Sequence, residues 1–236
     1  MSASLHHSIN TLAKQLTDYG LENVKNEIIW YLEFLQLTNR KQIYSDLIPM
    51  NQAIKDALDT FYAKRITGMP FQYIIEHGSF YGRDFFINKH VLIPRPDTEV
   101  IIEQVLKIYK NRANINFLDI GFGSGCILLS ILKERSDFRA IGIDISSHAL
   151  KVCEINAIKL GVSKRVKLIN SDIDKFSLGK YDLIISNPPY IKNHDLKYLE
   201  NDVIRFEPKL ALDGGLDGIS EIRKVIKKSS ELIKKN

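Results

Sequence analysis

Two hydrophobic periods run along the chain and divide it. Over residues 8–68 apolar side chains recur at helical spacing. A first helix, Ser8–Tyr19, closes at Gly20; Val24, Ile28, Tyr31, Leu32 and Leu35 share one face of a second. Ile54, Ala57, Leu58 and Phe61 share one face of a third, which Asn51 is placed to cap. Three amphipathic helices predict a small bundle over residues 1–68. In residues 69–93 the pattern changes to short aromatic and β-branched clusters. Phe71, Tyr73, Ile74 and Ile75, then Phe80 and Tyr81, then Phe85, Phe86 and Ile87 predict a β-hairpin turning near Gly82-Arg83. Pro94-Arg95-Pro96-Asp97-Thr98-Glu99 comes next as a rigid turn, with Asp97 or Thr98 in place to cap a helix through Val105.

From Ile115 strand and helix patterns alternate, which predicts an α/β fold with a parallel sheet over residues 94–236. Phe117–Ile120 is a strand running into Gly121-Phe122-Gly123-Ser124-Gly125, after which Cys126–Lys133 is helical. Glycines let a backbone approach a ligand closely, and the helix start beyond them favours negative charge. A second strand, Ala140–Ile143, ends in Asp144, 23 residues after Gly121, where an acidic residue can take the ribose hydroxyls of an adenosine cofactor. A third, Val166–Ile169, ends near Ser171-Asp172-Ile173, placed to meet an adenine. The turn differs from the Gly-x-Gly-x-x-Gly of nicotinamide enzymes: its last glycine comes one place early, and Cys126 holds the sixth place.

The fourth strand carries the most specific chemistry. Tyr181, Leu183, Ile184 and Ile185 form a short apolar run that stops at Ser186-Asn187-Pro188-Pro189-Tyr190. The prolines cannot donate ladder hydrogen bonds, and Pro188 holds Asn187 extended, so the strand ends in a stiff loop. Ligands of open α/β sheets bind just beyond such strand ends. An amide –NH2 has its nitrogen lone pair delocalised, as the roughly 18–20 kcal/mol rotation barrier of the C–N bond shows. A transferase must therefore hold that nitrogen in one orientation. The Asn187 side-chain carbonyl and the Pro188 backbone carbonyl suit its two N–H groups, with Tyr190 stacked on the amide plane. A plain strand and proline turn is the alternative for these residues.

Composition narrows the field. With 44% hydrophobic and 26% charged residues the chain is ordinary for a globular protein. No apolar run reaches the ~20 residues of a membrane span, and the first residues do not read as a signal peptide. Cys126 and Cys153 make no disulfide framework or metal motif, so a reduced, cytoplasmic setting without a metal is expected. The formal net charge is +5, but Lys and Arg number ten against eleven Asp and Glu over residues 1–100. The excess gathers at Arg223, Lys224, Lys227, Lys228, Lys234 and Lys235, so a solvated helix end is expected rather than a nucleic-acid groove.

The glycine turn with Asp119 before it looks like the methionine-sulfonium binding turn of class I methyltransferases. Taken with Gly68–Ile74, Leu92–Glu99, Asn187–Tyr190 and Phe206–Gly215, the chain resembles the PrmC (HemK) family, the N5-glutamine methyltransferases of peptide chain release factors. The resemblance implies a Rossmann-like class I sheet, a helical substrate-docking domain over 1–68 and a hairpin linker over 69–93. It implies that S-adenosyl-L-methionine binds at Gly121, Phe122, Gly123, Ser124, Gly125, Asp144, Asp172 and Ile173, with Asn187 in reach. The glutamine of a release factor's Gly-Gly-Gln loop would enter beside Asn187, Pro188, Pro189 and Tyr190. Asn-Pro-Pro-Tyr also serves methylation of a ribosomal-protein glutamine or of an exocyclic amine on a nucleic acid. One departure from the family is expected to matter. No strand is visible after Ile191, which predicts a sheet stopping at four strands, ordered 3-2-1-4, with Tyr181–Ser186 on an open edge. Under that expectation the chain is a fragment, or a partner covers the edge, or activity is lost and a release-factor-binding remnant without turnover remains; a monomer is expected.

Overall fold

The computed structural model describes residues 4–45 and 48–235. It divides into two compact units, Met1–Ile75 and Glu76–Asn236. The first contains five helices: α1 (Leu5–Asp18), α2 (Val24–Phe34), α3 (Arg40–Tyr44), α4 (Gln52–Arg65) and α5 (Phe71–Ile74). α1 begins three residues before the expected Ser8, because the Ser4 hydroxyl accepts from the His7 N–H and caps it earlier. Asn51 caps α4 as expected, its side chain accepting from Ile54 N at 2.9 Å. Ile9, Ile28, Leu32, Ile54 and Phe61 meet in the bundle core. Leu35 is corrected: it lies past the end of α2 and is exposed.

A second correction falls on Phe71–Ile75, expected in the hairpin. This segment is a helical turn, because the Pro70 carbonyl accepts from both Tyr73 N and Ile74 N. The hairpin is confined to β1 (His77–Phe80) and β2 (Arg83–Phe86). Phe80 pairs with Arg83, leaving Tyr81 and Gly82 as a two-residue turn, both at positive φ as a type I′ turn requires.

The second unit is built on a four-stranded parallel sheet: β3 (Asn116–Ile120), β4 (Arg139–Asp144), β5 (Val166–Asn170) and β6 (Leu183–Ser186). The order β5-β4-β3-β6 is the expected 3-2-1-4 arrangement. The helices are α6 (Glu99–Ile108), α7 (Cys126–Glu134), α8 (Ser147–Lys159), α9 (Asn201–Phe206) and α10 (Ser220–Leu232). Leu118, Ile120, Ile143 and Tyr181 pack with Leu232 and Val225 of α10 on one face. Phe117 points to the other face, edge-on to Phe138, which in turn meets Tyr109. Neither Asp97 nor Thr98 makes the expected side-chain cap on α6; the chain enters it through a 3₁₀ turn, Pro96–Thr98. The β6 edge is also less open than expected. Tyr181 N donates to Leu232 O (3.0 Å) and Lys234 N to Tyr181 O (2.9 Å), so the segment after α10 pairs parallel with Tyr181. Beyond that contact, Leu183–Ser186 has no strand on its outer side among the described residues. No helix of the described residues is long and apolar enough to cross a membrane.

Candidate active site

The parallel register brings the strands to a common end. Ile120 is level with Ile143 and Ser186, and Asp144 with Asn170. Just beyond them β3 enters the glycine turn. Gly121 N and Phe122 N both donate to Ile143 O, and Gly125 N donates to Phe122 O, which curls the chain toward α7. Gly121, Gly123 and Gly125 all have positive φ. A Cβ at Gly121 or Gly123 would stand in open space, whereas one at Gly125 would lie 2.5 Å from Cys153 Sγ. The first two glycines therefore line a cavity, and the third packs the turn onto α8. Asn156, buried on α8, locks this arrangement. It exchanges hydrogen bonds with both backbone groups of Phe86 and donates to Ser124 O at 2.9 Å.

Asp144 is braced by the same turn. Its Oδ2 accepts from Gly123 N (2.9 Å) and its Oδ1 from Ser146 N (2.8 Å). A carboxylate has about four lone-pair sites, so each oxygen keeps capacity for a ligand hydroxyl. Burial raises the Asp144 pKa, opposed by the Ser146 and Gly123 N–H groups. Asp172 caps a short 3₁₀ helix, accepting from Asp174 N at 2.8 Å, and so fixes Ile173 on the cavity wall. Behind the turn Asp119 is 1% exposed, and neither carboxylate oxygen has a hydrogen-bond partner. Burial first, and then the neighbouring Asp144 charge, push its pKa to about 7.

The fourth strand ends at Ser186, where its sequence predicts, and Asn187–Tyr190 follow without regular structure. The Ser186 hydroxyl donates to Ile120 O at 2.7 Å and holds the loop base against β3. The Asn187 side chain is exposed on the cavity and makes no hydrogen bond with a described residue. Further along, Ile191 N donates to Leu212 O and Gly214 N donates to Ile191 O. The backbone at Tyr190 comes so close to Gly214 that a Cβ there would sit 2.8 Å from Tyr190 Cα. A single cavity of about 370 Å³, within the roughly 300–1,000 Å³ usual for small-molecule sites, joins these parts. Gly121, Phe122, Gly123, Ser124, Asp144, Asp172, Ile173, Asn187, Pro188 and Pro189 all line it. Gly125 does not, being buried behind the turn, and neither does Tyr190, whose ring is 66% exposed. Arg95 and Pro208, given no site role from the sequence, also line the cavity, as does Lys224, expected only as part of a solvated helix end. Arg95 and Pro208 fell in stretches that carried the family resemblance, and that was the available signal.

The residues fit S-adenosyl-L-methionine on three counts. Two glycines stand in open space where a side chain would fill the cradle. Asp144 offers acceptors for ribose hydroxyls. The Asp144 carboxyl on the cavity wall suits a ligand that carries positive charge.

A family model described as a methyltransferase domain matches residues 111–236, more than half of the chain. A release factor glutamine methyltransferase of Caulobacter vibrioides is 37% identical over 218 residues, covering 91% of this chain and 75% of that protein. Its counterpart in Geobacter sulfurreducens is 36% identical, covering 92% of this chain and 76% of that protein. A bifunctional methyltransferase of Rickettsia prowazekii is 34% identical over 86% of this chain, which spans only 43% of that longer relative. Sheet order, glycine turn and cavity define a class I methyltransferase fold. Within that class, the chain belongs to the release factor glutamine methyltransferase family.

Proposed function

We propose that this protein transfers a methyl group from S-adenosyl-L-methionine to the side-chain amide nitrogen of the glutamine in the Gly-Gly-Gln motif of peptide chain release factors. One observation carries this reading beyond the relatives' names. The glycine turn with Asp144 and the Asn187–Pro189 loop line one continuous cavity, so donor and acceptor can meet there. When bound, S-adenosyl-L-methionine supplies a methyl carbon on a positively charged sulfur, which departs as a neutral thioether. The chain's residues have the task of presenting a poor nucleophile correctly. Asn187 is exposed on the cavity with its carboxamide uncommitted, so its oxygen is available to an incoming amide N–H. The Pro188 carbonyl takes the second N–H, and the two acceptors set the direction of the nitrogen. The N–C bond forms as the S–C bond breaks, and the nitrogen then releases a proton to solvent. No strong base is required before transfer, so positioning supplies most of the rate, where effective molarity contributes roughly 7–11 kcal/mol.

Isotope-labelled methyl transfer to a purified release factor, run beside RNA and DNA, tests the proposal. Label is expected on the release-factor glutamine. Asn187→Ala should lower turnover on the order of 10²-fold, as for loss of one preorganised polar contact, with donor affinity retained. Label found only on nucleic acid, or turnover unchanged within threefold in the variant, refutes it.

A further inference from the structure

Two stretches far apart in sequence, 92–95 and 207–211, contribute walls to the cavity, and one buried carboxylate joins them. Glu207 comes directly after α9, and its side chain is 2% exposed. Its Oε2 accepts from the Ile93 N–H at 3.3 Å, and its Oε1 accepts from Arg95 Nη2. Arg95 Nη1 in turn donates to Ile93 O at 3.0 Å. Glu207, Arg95 and both backbone groups of Ile93 therefore form a closed hydrogen-bonded ring. Leu92 and Pro94, on either side of Ile93, lie on the cavity wall. Pro94 and Pro96 flank Arg95 and fix their own φ, so the ring holds a segment that is already stiff.

Glu207 is buried but the Arg95 side chain is 41% exposed, and a partly solvated ion pair is a poor source of stability. What the pair offers here is direction. A two-oxygen acceptor sets a guanidinium and a backbone N–H at once, which packing alone does not do. The wall it anchors leads to the acceptor loop: after Pro208, Leu210 and Ala211, the chain pairs with Ile191 through Leu212 O and Gly214 N. The polar link thus runs from the 92–95 wall through Glu207 to the loop bearing Asn187. It bypasses the glycine turn and Asp144.

We propose that Glu207 is a positioning residue which, through Arg95 and Ile93, sets the wall beside Asn187 and so governs recognition of the acceptor and not of the donor. The inference rests on the proposed function for its acceptor, and two readouts keep the ideas apart. The first is steady-state methylation of a purified release factor by the full chain, with S-adenosylhomocysteine affinity measured by calorimetry. Glu207→Gln keeps the shape but turns an –NH2 toward one of two donors; Glu207→Ala removes the link. Both are expected to lower kcat/KM for the release factor on the order of 10²-fold, mainly through KM, with nucleoside affinity unchanged within about threefold. Arg95→Lys keeps the charge without the planar fork and should fall between wild type and Glu207→Gln. The second readout is amide exchange, which needs no turnover. Glu207→Gln should speed exchange at Ile93 about tenfold or more, leaving 121–125 unchanged. Parallel losses of nucleoside affinity, kcat/KM and thermal stability would make Glu207 a packing residue and overturn the proposal. So would unchanged exchange at Ile93. A wild-type chain that leaves the release factor unlabelled refutes the acceptor reading, and the exchange experiment then decides the role of Glu207.

Discussion

The two ends of the sheet are built from the same four strands, yet they treat charge in opposite ways. At the amino end two arginines, Arg165 and Arg135, are fully committed to protein acceptors. Arg165 donates to Leu132 O, left over at the end of α7, and to Arg135 O and Phe138 O in the loop that follows. Arg135 donates to Tyr109 O and Arg112 O and clamps Asp137, whose pKa its guanidinium lowers to about 2. At the carboxyl end Asp119 is buried with no partner, Asp144 is only partly used, and Asn187 is uncommitted. A buried polar group without a partner opposes folding. The amino end commits its charges to protein contacts; the carboxyl end leaves Asp144 and Asn187 with unused capacity on the cavity and Asp119 unpartnered behind it, at a cost to the free protein.

Asp119→Asn attacks that difference most directly. The folded pKa of Asp119 is about 7, above the ~3.9 of an unfolded aspartate, so the folded state holds the proton more tightly. The stability from that tighter binding is complete below pH 4 and is lost as pH rises toward 7. The total is on the order of 4 kcal/mol. Asparagine cannot ionise, so the ligand-free variant should gain on wild type steadily between pH 5 and pH 8. Urea denaturation at those two pH values reads it directly. An equal wild-type-to-variant difference at both would show that Asp119 has a partner in solution.

Arg165→Ala makes the converse cut. Hydrogen bonds to a charged group each contribute about 1.5–3 kcal/mol; the guanidinium makes three, all part-buried, so water can take over some of the freed carbonyls and the loss stays below their sum. A loss of about 3 kcal/mol in denaturant stability is expected, with S-adenosylhomocysteine affinity unchanged within about twofold. If affinity falls in step with stability, the two ends are coupled, and their division of labour is wrong.

The sheet was legible in the sequence because buried parallel strands read as apolar runs, each giving way at its end to glycine, proline or short polar residues: Gly121, Asp144, Ser171 and Pro188. The cavity residues were legible for the same reason, since the topology brings the loops after the strand ends to one common edge. Phe71–Ile75 failed because Phe71, Tyr73, Ile74 and Ile75 fit a helical turn or a strand equally well, and the Pro70 carbonyl decides between them. Pairing at Tyr181 failed because it involves only Leu232–Lys234, too short for any period. The Glu207 ring was beyond reach of a local pattern: its ion pair spans 112 positions, and nothing near either residue announces the other. Local rules place the residues that line the cavity, whereas the contacts behind them depend on the finished fold.

Asp144→Ala gives the smallest and most discriminating test of the carboxyl end. The side chain does two things: it braces Gly123 N and Ser146 N, and it keeps lone pairs free toward the cavity. Its removal should weaken S-adenosylhomocysteine binding about tenfold, equivalent to about 1.4 kcal/mol, measured by calorimetry at fixed pH. Stability should change less than in Arg165→Ala, because burial already raises the Asp144 pKa and losing that charge offsets the lost brace. A large loss of stability with affinity intact would make Asp144 a member of the scaffold. The ribose hydroxyls would then have to find their acceptors elsewhere on the cavity wall, with Asp172 the nearest candidate in kind.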